Sequence, residues 1–276
     1  MIRDILVSLT QGTERDPAAA FAASLAAAFS AHLTGVAVTY EIDVPPFYMG
    51  AVPTDFIETQ SQENEAAAKQ AAARFAQLAA GAGIGYDLRT LSASLGVAAN
   101  TFAQTARLFD LTVVAQPDPD RPGPEEVIAE TVLLDSGRAV LLVPYVQTAP
   151  FTARRAVLAW DGSRAAARAL AEGLPLLRNA AVVEVLQVIR GSEEAPGGDD
   201  VARHLLRHGI DARVRALHLG GSETSIAQTI LNEVSDQDAD LVVMGGYGHS
   251  RLRELVLGGV TREILGAMTV PVLMAH

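Results

Sequence analysis

The chain has no cysteine and a single lysine, Lys69, among its 276 residues. Without cysteine there are no disulfides, no thiolate metal sites and no cysteine nucleophile. A lone lysine in a helical stretch removes the strand-end lysine that a receiver domain needs, and no Walker-type phosphate loop is present. Aromatic residues are only 5% of the chain, with one tryptophan, Trp160. Trp160 follows an apolar run, so it reads as a strand residue against the core rather than a stacking platform. No apolar run approaches the length of a membrane span. The apolar part of the N-terminal stretch MIRDILVSLTQG is too short for a signal peptide. These absences give the expectation of a cytoplasmic protein without membrane contact.

Hydrophobic residues make up 49% of the chain, which is ample for a buried core. The formal net charge is -11, so the overall field repels nucleic acid. The charge is unevenly placed. Residues 1–145 carry 8 Lys+Arg against 17 Asp+Glu, whereas residues 146–276 carry 13 against 15. An anionic ligand would meet less repulsion in the second half.

Five landmarks recur in order. ILVSLTQG (5–12) matches AVLAWDGS (156–163), and alanine-rich helical segments follow both. LTGVAVTY matches AVVEVLQVI, DLTVVAQ (110–116) matches DLVVMGG (240–246), and AVLLVPY matches PVLMAH. This is an internal duplication, with units at 1–146 and 152–276 joined by QTAPFTA. Apolar strands alternate with helical patterns, which implies right-handed crossovers and a parallel sheet buried on both faces. The expected fold class is α/β, two tandem five-stranded parallel-sheet domains of Rossmann-like type. The extra length of the first unit falls in EIDVPPFYMGAVPTDFIETQ, read as a Pro-rich loop before a helix starting at Glu63.

Open sheets of this kind bind ligands beyond the carboxyl ends of their strands. There the second unit has Asp161 after one strand, and Met244, Gly245, Gly246 and Gly248 after another. Gly258, Gly259 and Val260 then open the last helix. Glycines let a ligand approach the backbone, and bare N–H groups near a helix start accept an anion. His249, Arg251 and Arg253 could neutralise it. Turn-and-cap duty accounts for the same glycines on spacing alone, and Asp161 could equally cap the following helix. His204 and His208 stand four apart with no third ligand evident, so no metal site is expected.

The combination resembles the universal stress protein family in its tandem form, across the whole chain. The family motif Gly-x-x-Gly, nine residues, then Gly-Ser or Gly-Thr is matched in spacing by Gly245, Gly248, Gly258 and Gly259. The family's first strand ends in Asp-Gly-Ser, matched by Asp161-Gly162-Ser163. In its ATP-binding members the resemblance implies adenosine contacts at Asp161 and Val188, and phosphate contacts at Gly245, Gly248, Gly258, Gly259 and Val260. It also implies pairing of the two halves through their last strands, a pseudo-dimer within one chain, and is compatible with a further homodimer. The implied cofactor is ATP, with magnesium.

Two departures stand out. Gly259 replaces a hydroxyl residue, removing one side-chain hydrogen bond to phosphate, worth about 1.5–3 kcal/mol. In the first half Thr10 replaces the Asp, Ala115-Gln116-Pro117 replaces the first glycines, and Glu126-Val127 stands at the Gly-Ser turn. The first half is therefore expected to bind no nucleotide. The expected function is a stress-response module using an adenine nucleotide in its second half as a switch, without steady catalysis. The alternative is a ligand-free interaction protein. An adenylating or pyrophosphatase-type enzyme is disfavoured, because AWDGSRAAA lacks a Ser-Gly-Gly-x-Asp-Ser loop.

Overall fold

The computed structural model describes residues 1–42, 53–191, 197–219, 224–247 and 259–276. The first half runs β1 (Asp4–Ser8), α1 (Pro17–Phe29), β2 (His32–Tyr40), α2 (Thr54–Gly81), β3 (Tyr86–Ala93), α3 (Leu95–Ala106), β4 (Leu111–Ala115), α4 (Glu125–Asp135) and β5 (Val140–Val143). The second runs β6 (Arg155–Ala159), α5 (Arg164–Leu177), β7 (Val182–Arg190), α6 (Gly198–Arg207), β8 (Ala212–Leu219), α7 (Ile226–Asp236), β9 (Leu241–Gly245), α8 (Val260–Ala267) and β10 (Val272–Ala275).

All ten strands form one sheet in the order β3-β2-β1-β4-β5-β10-β9-β6-β7-β8. Each half contributes five parallel strands. The halves meet where β5 and β10 pair antiparallel, Val272 opposite Leu142 and Met274 opposite Val140. This pairing removes one exposed edge from each half. Strand order reverses between β1 and β4 and again between β6 and β9, which places a crevice at the carboxyl end of each half.

Strand periodicity builds the layers. Alternate residues of each strand point to opposite faces. Ile5, Val7, Leu158 and Val243 meet α1, α2, α5 and α6 on one face. Leu6, Val157, Val242 and Met244 meet α3, α4, α7 and α8 on the other. Both faces are covered, which is why the central strands read as continuous apolar runs.

The connection between the halves is docked. The Phe151 ring packs edge-on against Phe21 at 5.8 Å and also meets Phe29, while its N–H donates to Ser24 Oγ at 2.7 Å. One expectation is corrected. The stretch DFIETQ is helix, not loop, because α2 begins at Thr54. No proline or glycine interrupts the chain between Pro53 and Gly81, and Glu and Gln are good helix formers. These early turns are mostly exposed, so they lack the apolar stripe by which a helix is read.

Candidate functional site

The second half's crevice lies between β6 and β9. From β6 the chain passes Trp160, whose N–H donates to Leu186 O of β7 at 2.8 Å. Here β6 ends while β7 continues. Residues two apart on a strand point their backbone groups to the same side. The N–H and C=O of Val188 therefore face the side on which β6 has ended. Its half-buried side chain packs on the core of the α3/α4/α7/α8 face.

Asp161 stands at the mouth of the same notch. Its side chain is exposed, and Oδ1 accepts from Ser163 N at 2.9 Å. The cap of α5 is Ser163, whose Oγ accepts from Ala166 N at 3.1 Å. Capping therefore does not occupy Asp161. Among the described residues its other carboxylate oxygen makes no hydrogen bond, leaving an acceptor for a hydroxyl or amino group.

The glycines of β9 have a packing role that their spacing does not reveal. A Cβ on Gly245 would lie 2.6 Å from Ala166 N, so only glycine lets the strand pass the first turn of α5. A Cβ on Gly246 would meet Leu133 of α4 at 3.0 Å. Neither glycine has positive φ. The left-handed residue of the turn is Tyr247, at φ 50°. Its N–H donates at 2.9 Å to Oγ1 of Thr261, a buried residue in the first turn of α8. Tyr247 and Thr261 thus tie the glycine turn to α8. Neither was a sequence candidate, since a tyrosine in that conformation and a back-bonding threonine carry no motif. The Met244 side chain is buried in the core, so only its backbone lies near the crevice.

Gly259 precedes α8 in extended conformation, with no side-chain cap. Among the described residues no side chain caps the first N–H groups of α8, and a helix start left in this way accepts an anion. Glu263 in the first turn would oppose one, but its Oε2 accepts from Oγ of Ser225, the N-cap of α7, at 2.5 Å. Val260 opens the helix and packs on the core. Gly248, His249, Arg251 and Gly258 lie outside the described residues. Asp161, Val188, Gly245, Gly259 and Val260 share one end of the sheet. The donor set fits a nucleotide: an acceptor and open strand backbone for the adenosine, uncapped N–H groups for phosphate. Among the described residues no group of three His, Cys, Asp or Glu could hold a metal. The His204 and His208 rings pack 4.6 Å apart, and His208 Nδ1 meets Arg178 at 3.2 Å.

The first half answers each feature differently. Leu9 N donates to Val36 O, the counterpart of the Trp160 bond. The position matching Val188 is then Val38, and its C=O accepts from Gln11 Nε2. Thr10 stands where Asp161 would, with its N–H donating to Asp16 Oδ2 at 2.8 Å. Gln116 matches Gly246 and reaches across the joint, Nε2 donating to Leu265 O of α8 at 2.7 Å. Glu126 and Val127 lie inside α4, whose first turn carries Glu125 and Glu126.

The model of the Universal stress protein family matches residues 152–276. This half is therefore similar to the universal stress protein family. The fold likeness extends further. A universal stress protein from Archaeoglobus fulgidus DSM 4304 superposes with TM-score 0.73 at 16% identity, covering 99% of this chain and 95% of that one. A Pseudomonas aeruginosa PAO1 protein of unknown function gives TM-score 0.59 at 16% identity, covering 99% and 92%. Both are similar in fold. Universal stress protein Slr1230 of Synechocystis is 41% identical over 46 residues, which is 17% of this chain and 16% of that relative. No helix among the described residues is long and apolar enough to cross a membrane.

Proposed function

We propose that this chain is a universal stress protein that binds ATP, or a related adenine nucleotide, in its second half, and that occupancy acts as a switch on partner contacts. The observation carrying this reading is the notch between β6 and β9. It combines the free acceptor of Asp161, the open backbone of Val188 and the uncapped start of α8. Adenosine would sit against the first two and the phosphates against the third. Magnesium would arrive with the phosphates, since the described residues hold no three-group metal set. No side chain described at the site is placed as a nucleophile or general base, so the reading is a binding module rather than an enzyme. Turnover at about 1 per second or faster would contradict it.

The test is calorimetric titration with ATP and magnesium, beside an Asp161→Ala variant. The expected result is saturable heat in the native protein and at least about a tenfold weaker response in the variant. A second reading, a ligand-free interaction module, is favoured by the packing roles of Gly245 and Gly246, which explain both residues without a ligand. Absence of heat at millimolar ATP in both proteins would select it.

A further inference from the structure

A cavity lies in the first half, where the phosphate-binding elements are missing. It measures about 610 Å³ and opens at the carboxyl ends of β1 and β4, with the Tyr145–Thr148 stretch as one wall. That volume is in the range of small-molecule sites. Beneath it lies a second space of about 10 Å³ that shares Thr10 and Glu125 and reaches the buried side of Tyr40, the size of one water.

An anion is refused here. Pro117 has no N–H, and Gln116 N is spent on Val143 O at 2.8 Å. The first turn of α4 already carries Glu125 and Glu126 against its dipole. The charges facing the cavity are the carboxylates of Glu14, Asp118 and Glu125 and the guanidiniums of Arg15 and Arg121. Arg121 is used on protein backbone, donating to Gly12 O at 2.7 Å. Arg15 sits on the exposed rim. Among the described residues none of the three carboxylates has an ion-pair partner within 4.0 Å. The Thr10 hydroxyl at the floor is shielded from solvent. It lies beside the Asp16 carboxylate but makes no hydrogen bond of good geometry. The cavity therefore presents three carboxylates without ion-pair partners against two guanidiniums, of which Arg121 acts on Glu125 only from a distance.

We propose that this cavity binds a small organic amine as its ammonium ion, with Glu125 as the principal counter-charge. An ammonium group donates three hydrogen bonds and carries the charge that Glu125 lacks. Burial, together with Asp16 and Asp118, pushes the Glu125 carboxyl above its ordinary range. A bound cation offsets all three influences.

The test uses the full chain, labelled for amide NMR, and three ligands of equal size: butylammonium, butanol and butyrate. Butylammonium should shift the amides of residues 10–16 and 115–125 saturably, with millimolar affinity, as suits so small a ligand. Butanol and butyrate should be weaker by about tenfold or more. Glu125→Gln keeps shape and hydrogen-bonding capacity, so the remaining spectrum reports intact folding while butylammonium binding falls by about tenfold. Butyrate or butanol binding as tightly as butylammonium would overturn the proposal. So would unsaturable shifts with all three, or unchanged affinity in Glu125→Gln.

Discussion

Ala115 and Gly245 end equivalent strands in the two halves. The first tolerates a side chain. At the second, a Cβ would collide with the backbone of α5. One residue further on, the contrast inverts across the joint. Gly246 has no side chain, and Leu133 of the opposite half packs against it, buried at 1% exposure. Gln116 has a long side chain, which crosses to the carbonyl of Leu265, a residue only half-buried. The same backbone frame thus supports a bare end in one half and a bracing end in the other. The fold rests on strand alternation and on the β5–β10 pairing, which both halves share. The site rests on a few backbone donors and acceptors, which a single side chain such as Gln11 can occupy.

Substitutions at matched positions should separate the halves, beginning with the largest effect. Leu133→Ala should cost about 3 kcal/mol by opening a cavity against Gly246. Leu265→Ala, at the half-buried counterpart, should cost about 1 kcal/mol. Equal costs in chemical denaturation would break the asymmetry. Gly245→Ala should cost about 2 kcal/mol from overpacking on α5, and its melting temperature should fall by several degrees. Ala115 already carries that methyl group. Gln116→Ala should cost about 1–2 kcal/mol, because Leu265 O and Tyr145 N lose their partner. The cost should appear without loss of nucleotide binding, which equilibrium titration can check.

The smallest expected effect is a pH dependence. Glu125 is raised from 4.5 chiefly by burial, and Asp16 from 3.8 chiefly by burial. A carboxyl raised on folding binds its proton more tightly in the native state, so stability falls as pH rises through the window above the ordinary value. Glu125→Gln should therefore be more stable than the native protein near neutrality, with the difference closing as pH drops below about 4.5. Thermal unfolding across that range reads the sign directly. A gap that widens on acidification would contradict the placement of Glu125.

Much of this architecture is legible in the residues. The strands announce themselves because burial on both faces demands unbroken apolar runs, and the repeat appears because those runs recur in order. The start of α2 is not legible, because its first turns are exposed and carry no apolar stripe. Asp161 is readable from its place after β6. The freedom of its second oxygen is not, since that depends on Ser163 taking the cap. The occupation of Val38 by Gln11 needs the register of β1 against β2, which side-chain identity does not encode. Glu125 and Glu126 signal that phosphate is unwelcome. That a cavity remains there depends on how the Tyr145–Thr148 stretch passes over it, which is a matter of packing.

The central claim is that one chain holds one nucleotide site and one site remade for something else. Native mass spectrometry of the full chain with ATP and magnesium tests it most directly. One ATP per chain, lost in Asp161→Ala and retained in Glu125→Gln, is the predicted result. Two ATP per chain, or one that survives Asp161→Ala, would contradict the account.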